Sequence, residues 1–143
     1  MTTPIDSVRL VAHDGTVTVP DDEGLSVYLE VDDGARSIMF GESEREPGLP
    51  PGVDEAYRVF VSKRWADEES HCFGGVASVS LRAGVLSLTF TTEAAAELGF
   101  PSPDVQIALD LEPSTVDAIR RALRVVFESG PAEFRPKRLD LDA

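Results

Sequence analysis

His71 and Cys72 are the first residues in this chain that could do chemistry, a thiol with an imidazole beside it. A nucleophilic cysteine needs its base delivered from a separate element, so neighbours in sequence do not make a nucleophile–base pair. Cys72 therefore reads as a small apolar core residue and His71 as a surface or edge residue. The other histidine, His13, sits in a His13-Asp14-Gly15 turn signal, and no G-x-S-x-G elbow is present. Gly74-Gly75 could cradle a phosphate, but it lacks both phosphate-loop patterns and no helix pattern starts directly after it. A bulge or a tight strand entry is the expected cause. Asp32-Asp33-Gly34 has neither the alternating oxygen ligands nor the closing glutamate of a calcium loop. One cysteine excludes every multi-cysteine zinc pattern. The expectation is no enzyme: no catalytic residue, no metal ligand and no cofactor.

Binding is the alternative to catalysis, and charge says what could be bound. The net charge of −13 argues against nucleic acid or an anionic membrane as a direct partner and permits a basic protein. Arg120, Arg121 and Arg124 make too small a basic face to change that. Fourteen acidic residues against five basic ones lie between Pro20 and Ser70, which is −9 of the total. They gather in loop stretches, which can present residues without disturbing a core. In one of these, Asp67, Glu68 and Glu69 follow Trp65, the residue type most enriched at binding hot spots. Trp65, Asp67, Glu68 and Glu69 are the candidate partner-binding residues.

The elements that must position them follow from periodicity. The stretch from Phe73 to Phe127 opens with a hairpin about a two-residue Ala83-Gly84 loop. That register pairs Leu81 with Leu86, Val79 with Leu88 and Ala77 with Phe90 on one face, leaving Ser78, Ser80, Ser87 and Thr89 on the other. A second hairpin over Leu25–Phe40 turns at Asp33-Gly34 and opposes Leu29 to Ile38, Val27 to Phe40 and Tyr28 to Met39. Ser7–Ala12 and Thr16–Val19 are short strand candidates on either side of the His13 turn. Tyr57, Val59 and Val61 alternate against Arg58, Phe60 and Ser62 in another strand. Gly41–Asp54, with three prolines and three glycines, is a loop, and Trp65–Ser70 is an acidic turn. A short helix over Glu93–Leu98 ends at Gly99, and Val105–Leu111 alternates as a strand. In the last helix Val116, Ile119, Leu123, Val126 and Phe127 share one face, with Ser114 and Asp117 as a capping box. The predicted fold is α+β: an antiparallel sheet, curved or split, with the C-terminal amphipathic helix packed on one face and one short additional helix. At 143 residues, 1–143 forms a single domain with a charged tail beginning at about residue 131.

Gly74-Gly75-Val76, the Thr92–Gly99 run TEAAAELG, and Leu109-Asp110-Leu111 before the last helix resemble the immunity protein 10 family of bacterial polymorphic-toxin systems. The resemblance runs from Ala56 onward and leaves Gly41–Asp54 without a counterpart. It implies an immunity protein that binds a cognate toxin and blocks it by occlusion, the toxin presenting a basic surface to this acidic chain. The opening Met1–Asp6 lacks the basic and apolar regions of a signal peptide, and no apolar run approaches the roughly 18 residues of a membrane span. The expected location is the cytoplasm.

Two rival readings make different demands. A small enzyme or ligand-binding domain would need a deep pocket with converging polar groups. A self-associating structural subunit would need one long uncharged edge strand.

Overall fold

The computed structural model describes residues 8–18, 25–31, 36–41, 57–63, 68–128 and 135–141. Alternation dominates these residues, and the strands follow from it. In chain order they are β1 (Val8–Thr18), β2 (Ser26–Val31), β3 (Arg36–Gly41), β4 (Arg58–Lys63), β5 (Glu68–Phe73), β6 (Val76–Arg82) and β7 (Val85–Phe90). Helix α1 (Thr92–Leu98), strand β8 (Asp104–Leu109), helix α2 (Pro113–Glu128) and strand β9 (Arg138–Asp140) complete them. The described strands form one sheet in the order β5-β4-β3-β2-β1-β8-β7-β6-β9.

That order forces the sheet to curl. β5 is at one edge and β6 lies next to the other, yet only Gly74 and Gly75 join them. Two residues reach a few ångströms, so the two ends of the sheet must meet. Both glycines have left-handed backbones, at φ 66° and 91°. At Gly75 a Cβ would stand 2.7 Å from the Cβ of Ala94 in α1, so neither conformation nor space admits a side chain. Tyr57 fastens the junction. Its hydroxyl accepts the Val76 N–H at 2.9 Å and donates to the Val76 carbonyl at 3.3 Å. The Gly74 N–H donates to the Tyr57 carbonyl at 2.7 Å, extending the β4–β5 ladder by one step.

The inner face of the curl is the core. Val27, Leu29 and Val31 of β2, Ile38 and Phe40 of β3, and Val59 and Val61 of β4 are buried there. Val79, Leu81, Leu86, Leu88, Val105 and Ile107 continue it across β6, β7 and β8. Helix α2 buries Ile119, Ala122, Leu123, Val126 and Phe127 against this face. Phe127 meets Phe40 and Tyr57 edge-on, at centroid distances of 5.7 and 5.1 Å. Gly15 makes room for the helix, since a Cβ there would stand 3.1 Å from Leu29 and 3.2 Å from Ile119.

Both hairpin registers agree with the alternation. Leu29 opposes Ile38, Val27 opposes Phe40, Leu81 opposes Leu86 and Val79 opposes Leu88. Ala83 and Gly84 both have positive φ, as a two-residue hairpin loop of this twist requires. The residues at Asp33-Gly34 and in the Gly41–Asp54 stretch beyond Gly41 lie outside the described residues. Helix α1 is capped by the Thr91 hydroxyl on the Ala94 N–H at 3.1 Å and closed by left-handed Gly99.

Several expectations need correction. The sheet is mixed rather than antiparallel, because β1 pairs with β8 and β6 with β9 in parallel. Alternation fixes which face a residue occupies but not the direction of its neighbour. The main contacts of α2 are with β1, β2 and β3, not with the β6–β7 hairpin, and α1 instead packs on β5 and β7. His13-Asp14-Gly15 does not turn the chain; the register shifts between Ala12 and Asp14, a bulge inside one long β1. A second bulge brings Val76, not Ala77, opposite Phe90. The Ser114–Asp117 capping box is replaced by Pro113 in the first helical position. Asp117 pairs instead with Arg121 and, at 3.2 Å, with Arg120. The hydrogen bond from Arg121 leads in holding its carboxyl below the usual range. Finally, Glu68–Ser70, the end of the expected Trp65–Ser70 turn, is the start of strand β5, and part of the charged tail forms β9, with Leu141 fully buried just beyond it.

Truncating Leu88 or Leu123 to Ala should cost about 2–5 kcal/mol in denaturant unfolding, the range for a buried leucine. Gly75→Ala should cost at least about 1 kcal/mol from backbone strain alone. Gly41→Ala should leave stability unchanged or raised, because nothing lies within 4 Å of a Cβ at Gly41. Equal midpoints for the two glycine variants would contradict this account of the β5–β6 junction.

Candidate interaction surface

Cys72 lies inside the junction. It is buried, its Sγ is 3.4 Å from the Gly74 carbonyl oxygen, and burial pushes the thiol from the ordinary 9.0 up to about 12. Glu97 adds to the shift in the same direction. A thiol held protonated is a poor nucleophile and a poor metal ligand. Tyr57 is likewise held above the ordinary phenol range, chiefly by burial. His71 points away from Cys72, on the opposite face of β5, as alternation requires. Among the described residues no three His, Cys, Asp or Glu side chains converge as a metal would need.

A polar cleft of about 440 Å³ lies between the β1 bulge and the start of α2, lined by His13, Asp14, Asp110, Glu112 and Thr115 among others. The His13 Nδ1 donates to the Asp110 carboxylate at 3.1 Å, and these two side chains are 55% and 74% exposed. Groups so open to water form a surface cleft, unlike the enclosed, mostly apolar pocket of a small-molecule site. The sheet edges are also informative. β5 carries Glu68 and Glu69, and β9 is three residues long. Neither is the long uncharged strand that edge-to-edge association would use.

Of the candidate partner-binding residues, Trp65 and Asp67 lie outside the described residues. Glu68 and Glu69 open β5, in register with Lys63 and Ser62. Val31, Arg36, Lys63 and Glu68 line one end of the sheet, and the links leaving from that end carry Asp32, Asp33, Trp65 and Asp67 in sequence.

The outer face of the same strands carries aromatic side chains. One row of paired residues crosses four strands: Tyr28, Met39, Phe60 and His71. The rings of Phe60 and His71 stack at 5.7 Å, His71 meets Phe73 edge-on at 5.8 Å, and the Arg58 guanidinium lies 5.1 Å from the Phe73 ring centre. Tyr28 and His71 are exposed, while Met39, Phe60 and Phe73 are half-buried. On β6, β7 and β8 the middle outward positions are Ser78, Ser80, Ser87, Thr89 and Gln106, with Val85, Ala108 and the exposed Val11 of β1 in a neighbouring row.

Against known families, the model for immunity protein 10 matches residues 11–117. The chain belongs to the immunity protein 10 family. The match extends from β1 to the first turn of α2, so it reaches well before Ala56 and takes in every strand of the aromatic row. No curated protein and no solved structure matches the chain. Family membership assigns this immunity protein in general to toxin systems, with a toxin as its partner. Alternation had marked Tyr28, Met39 and Phe60 as non-core. That His71 and Phe73 join them does not follow from a reading that ends the acidic turn at Ser70 and assigns no strand to His71-Cys72-Phe73. The alternation of His71, Cys72 and Phe73 was the available signal.

Burial of Cys72 and Tyr57 gives this immunity protein a defined alkaline limit. Both pKa values are raised on folding, so their contribution is complete below the unfolded-state values and is lost as pH rises toward the folded ones. For Cys72 that window is about pH 9 to 12. Denaturant midpoints should therefore fall above pH 9, and less steeply in Cys72→Ala. Cys72→Ala should otherwise fold and protect as the wild type does; loss of protection at unchanged Tm would assign the thiol a chemistry.

Proposed function

We propose that this chain is a cytoplasmic immunity protein that binds one cognate protein toxin and neutralises it by occlusion, with no catalysis or cofactor of its own. Membership of the immunity protein 10 family carries this reading. The charge supports the kind of partner: −13 overall, with the acid concentrated between Pro20 and Ser70, suits a basic toxin surface and disfavours nucleic acid or an anionic membrane. Among the described residues no helix is long and apolar enough to cross a membrane. The contact we assign is the β4–β5 link together with the start of β5, with Asp67, Glu68 and Glu69 as its acidic rim and Trp65 as an anchor.

The two parts of that contact would act on different rates. Rim charges steer encounter, so reversing Asp67 and Glu68 to Lys should slow association and flatten its dependence on salt. A buried aromatic anchor resists dissociation, so Trp65→Ala should raise the off-rate by a factor corresponding to about 2 kcal/mol or more. The measurement is surface-binding kinetics at low and moderate salt against the candidate toxin, the protein that this chain captures from its native host and whose toxicity it suppresses there. Failure of the wild type to capture such a protein, or to bind it once purified, would sink the proposed function. Wild-type kinetics in both variants would remove the turn from the interface.

A further inference from the structure

We propose that the outer face of β2–β5, centred on the row Tyr28, Met39, Phe60 and His71, is the apolar centre of the toxin-binding surface, and that its occupant is a protein surface with a basic rim. The inference rests on the function proposed above and names the place where the partner sits.

The outer face is divided in a way that folding alone does not require. Every strand places its inner residues in one core, yet the middle outward positions of β6, β7 and β8 are Ser78, Ser80, Ser87, Thr89 and Gln106, flanked by Val85 and Ala108, while the middle outward row of β2–β5 is Tyr28, Met39, Phe60 and His71, flanked by Glu30, Gly41, Arg58, Phe73 and serines. Water tolerates the first set at no cost, whereas a contiguous row of the second leaves apolar area exposed and marks an interaction surface. The residue types are those enriched at interface centres: Tyr, Phe, Met, and an arginine lying against a ring. Because these side chains stand on paired strands, little conformational freedom remains to be lost on binding.

Gly41 adds a recess. It pairs with Arg58 on one side and Ser26 on the other, one step along β3 from Met39 on the same face. The space that a Cβ would occupy is open, with no atom within 4 Å.

Charge selects the occupant. Beyond the aromatic row Glu30 lies opposite Ser37 on one side and Asp14 on the other, and the next pairing row ends in Ser62 and Glu69. The strands of the row lie in the segment that carries −9 of the net −13. Two copies of so acidic a chain repel one another, as would a nucleic acid or an anionic bilayer. A basic protein is attracted by the rim and held by the centre.

The experiment adds or removes atoms on this face where the fold does not need them. Gly41→Arg fills the recess with a long basic side chain. Tyr28→Ala removes a ring that is 37% exposed. Gln106→Arg places a new basic charge on the polar half of the same outer face, at an exposed position. The probe is that same candidate toxin, purified and titrated calorimetrically, with thermal unfolding and sedimentation run on each variant. Gly41→Arg and Tyr28→Ala should each weaken binding at least about tenfold, the loss expected at an interface centre, with near-native Tm. Gln106→Arg should bind as the wild type does. Wild-type binding that survives both row variants within about twofold would overturn this inference and leave the proposed function standing. Absence of wild-type binding at micromolar concentration would overturn both. A concentration-dependent wild-type dimer abolished by Gly41→Arg would give the face to a second copy of the chain and also overturn the inference.

Discussion

The contact on which the rest of the structure depends is the one between Tyr57 and the backbone of Val76. Tyr57 stands one residue before β4 and Val76 opens β6, strands six places apart in the sheet order though only a pair of glycines separates β5 from β6. Each of the two hydrogen bonds contributes about 0.5–1.5 kcal/mol net, but the hydroxyl is buried, so leaving either group unpaired would cost more than the bond gains. The same ring packs edge-on against Phe127, which ties α2 to the junction. On its other side the Gly75 carbonyl accepts the Thr91 N–H at 2.8 Å, which fixes the start of α1. Both helices are thus placed by one seam. A sheet that lay flat would present its inner face to water over more strands than two helices can cover.

How much of this was legible in the sequence depended on whether the signal was local. Hairpin registers were, because a turn of known length and two alternating strands determine every pairing between them. The order β1-β8-β7 was not, since inserting β8 between strands distant in sequence is decided by which arrangement closes the core. Bulges defeat alternation by one residue at a time. The extra residue at His13 made one strand look like two, and the one near Ala77 moved Phe90 from Ala77 to Val76. The charged tail shows a further bias. Arg138-Leu139-Asp140-Leu141 alternates as a strand should, but its charges drew more weight than its two leucines, one of them buried completely.

The candidate site was legible to the same degree. Acidic clustering before Ser70 is a property of composition and needs no structure. An aromatic row across four strands is a property of register, and it emerges only when β4 and β5 are paired. Phe60 and His71 are eleven positions apart and become stacked neighbours through that pairing. The separation of His71 from Cys72 has the same origin. His71 and Cys72 are adjacent in the chain, and for that reason a strand sends them to opposite faces, one into the core and one to the surface.

Separation of faces also explains how one short chain can hold a fixed fold and a specialised surface together. In β2, β3 and β4 the residues Val27, Leu29, Ile38, Phe40, Val59 and Val61 serve the core, and the residues between them touch none of it. Packing at interior density constrains the first set to within about a methylene. No such constraint reaches Tyr28, Met39 or Gly41, which lie on the face turned away from the core. Aromatic rings and an open glycine at these positions are therefore not explained by folding. The opposite half of the outer face supplies the contrast: the same backbone and the same kind of positions, with Ser78, Ser80, Ser87, Thr89 and Gln106 at its middle. A difference between two halves of one sheet, on the face that does not stabilise it, points outward to what the protein meets.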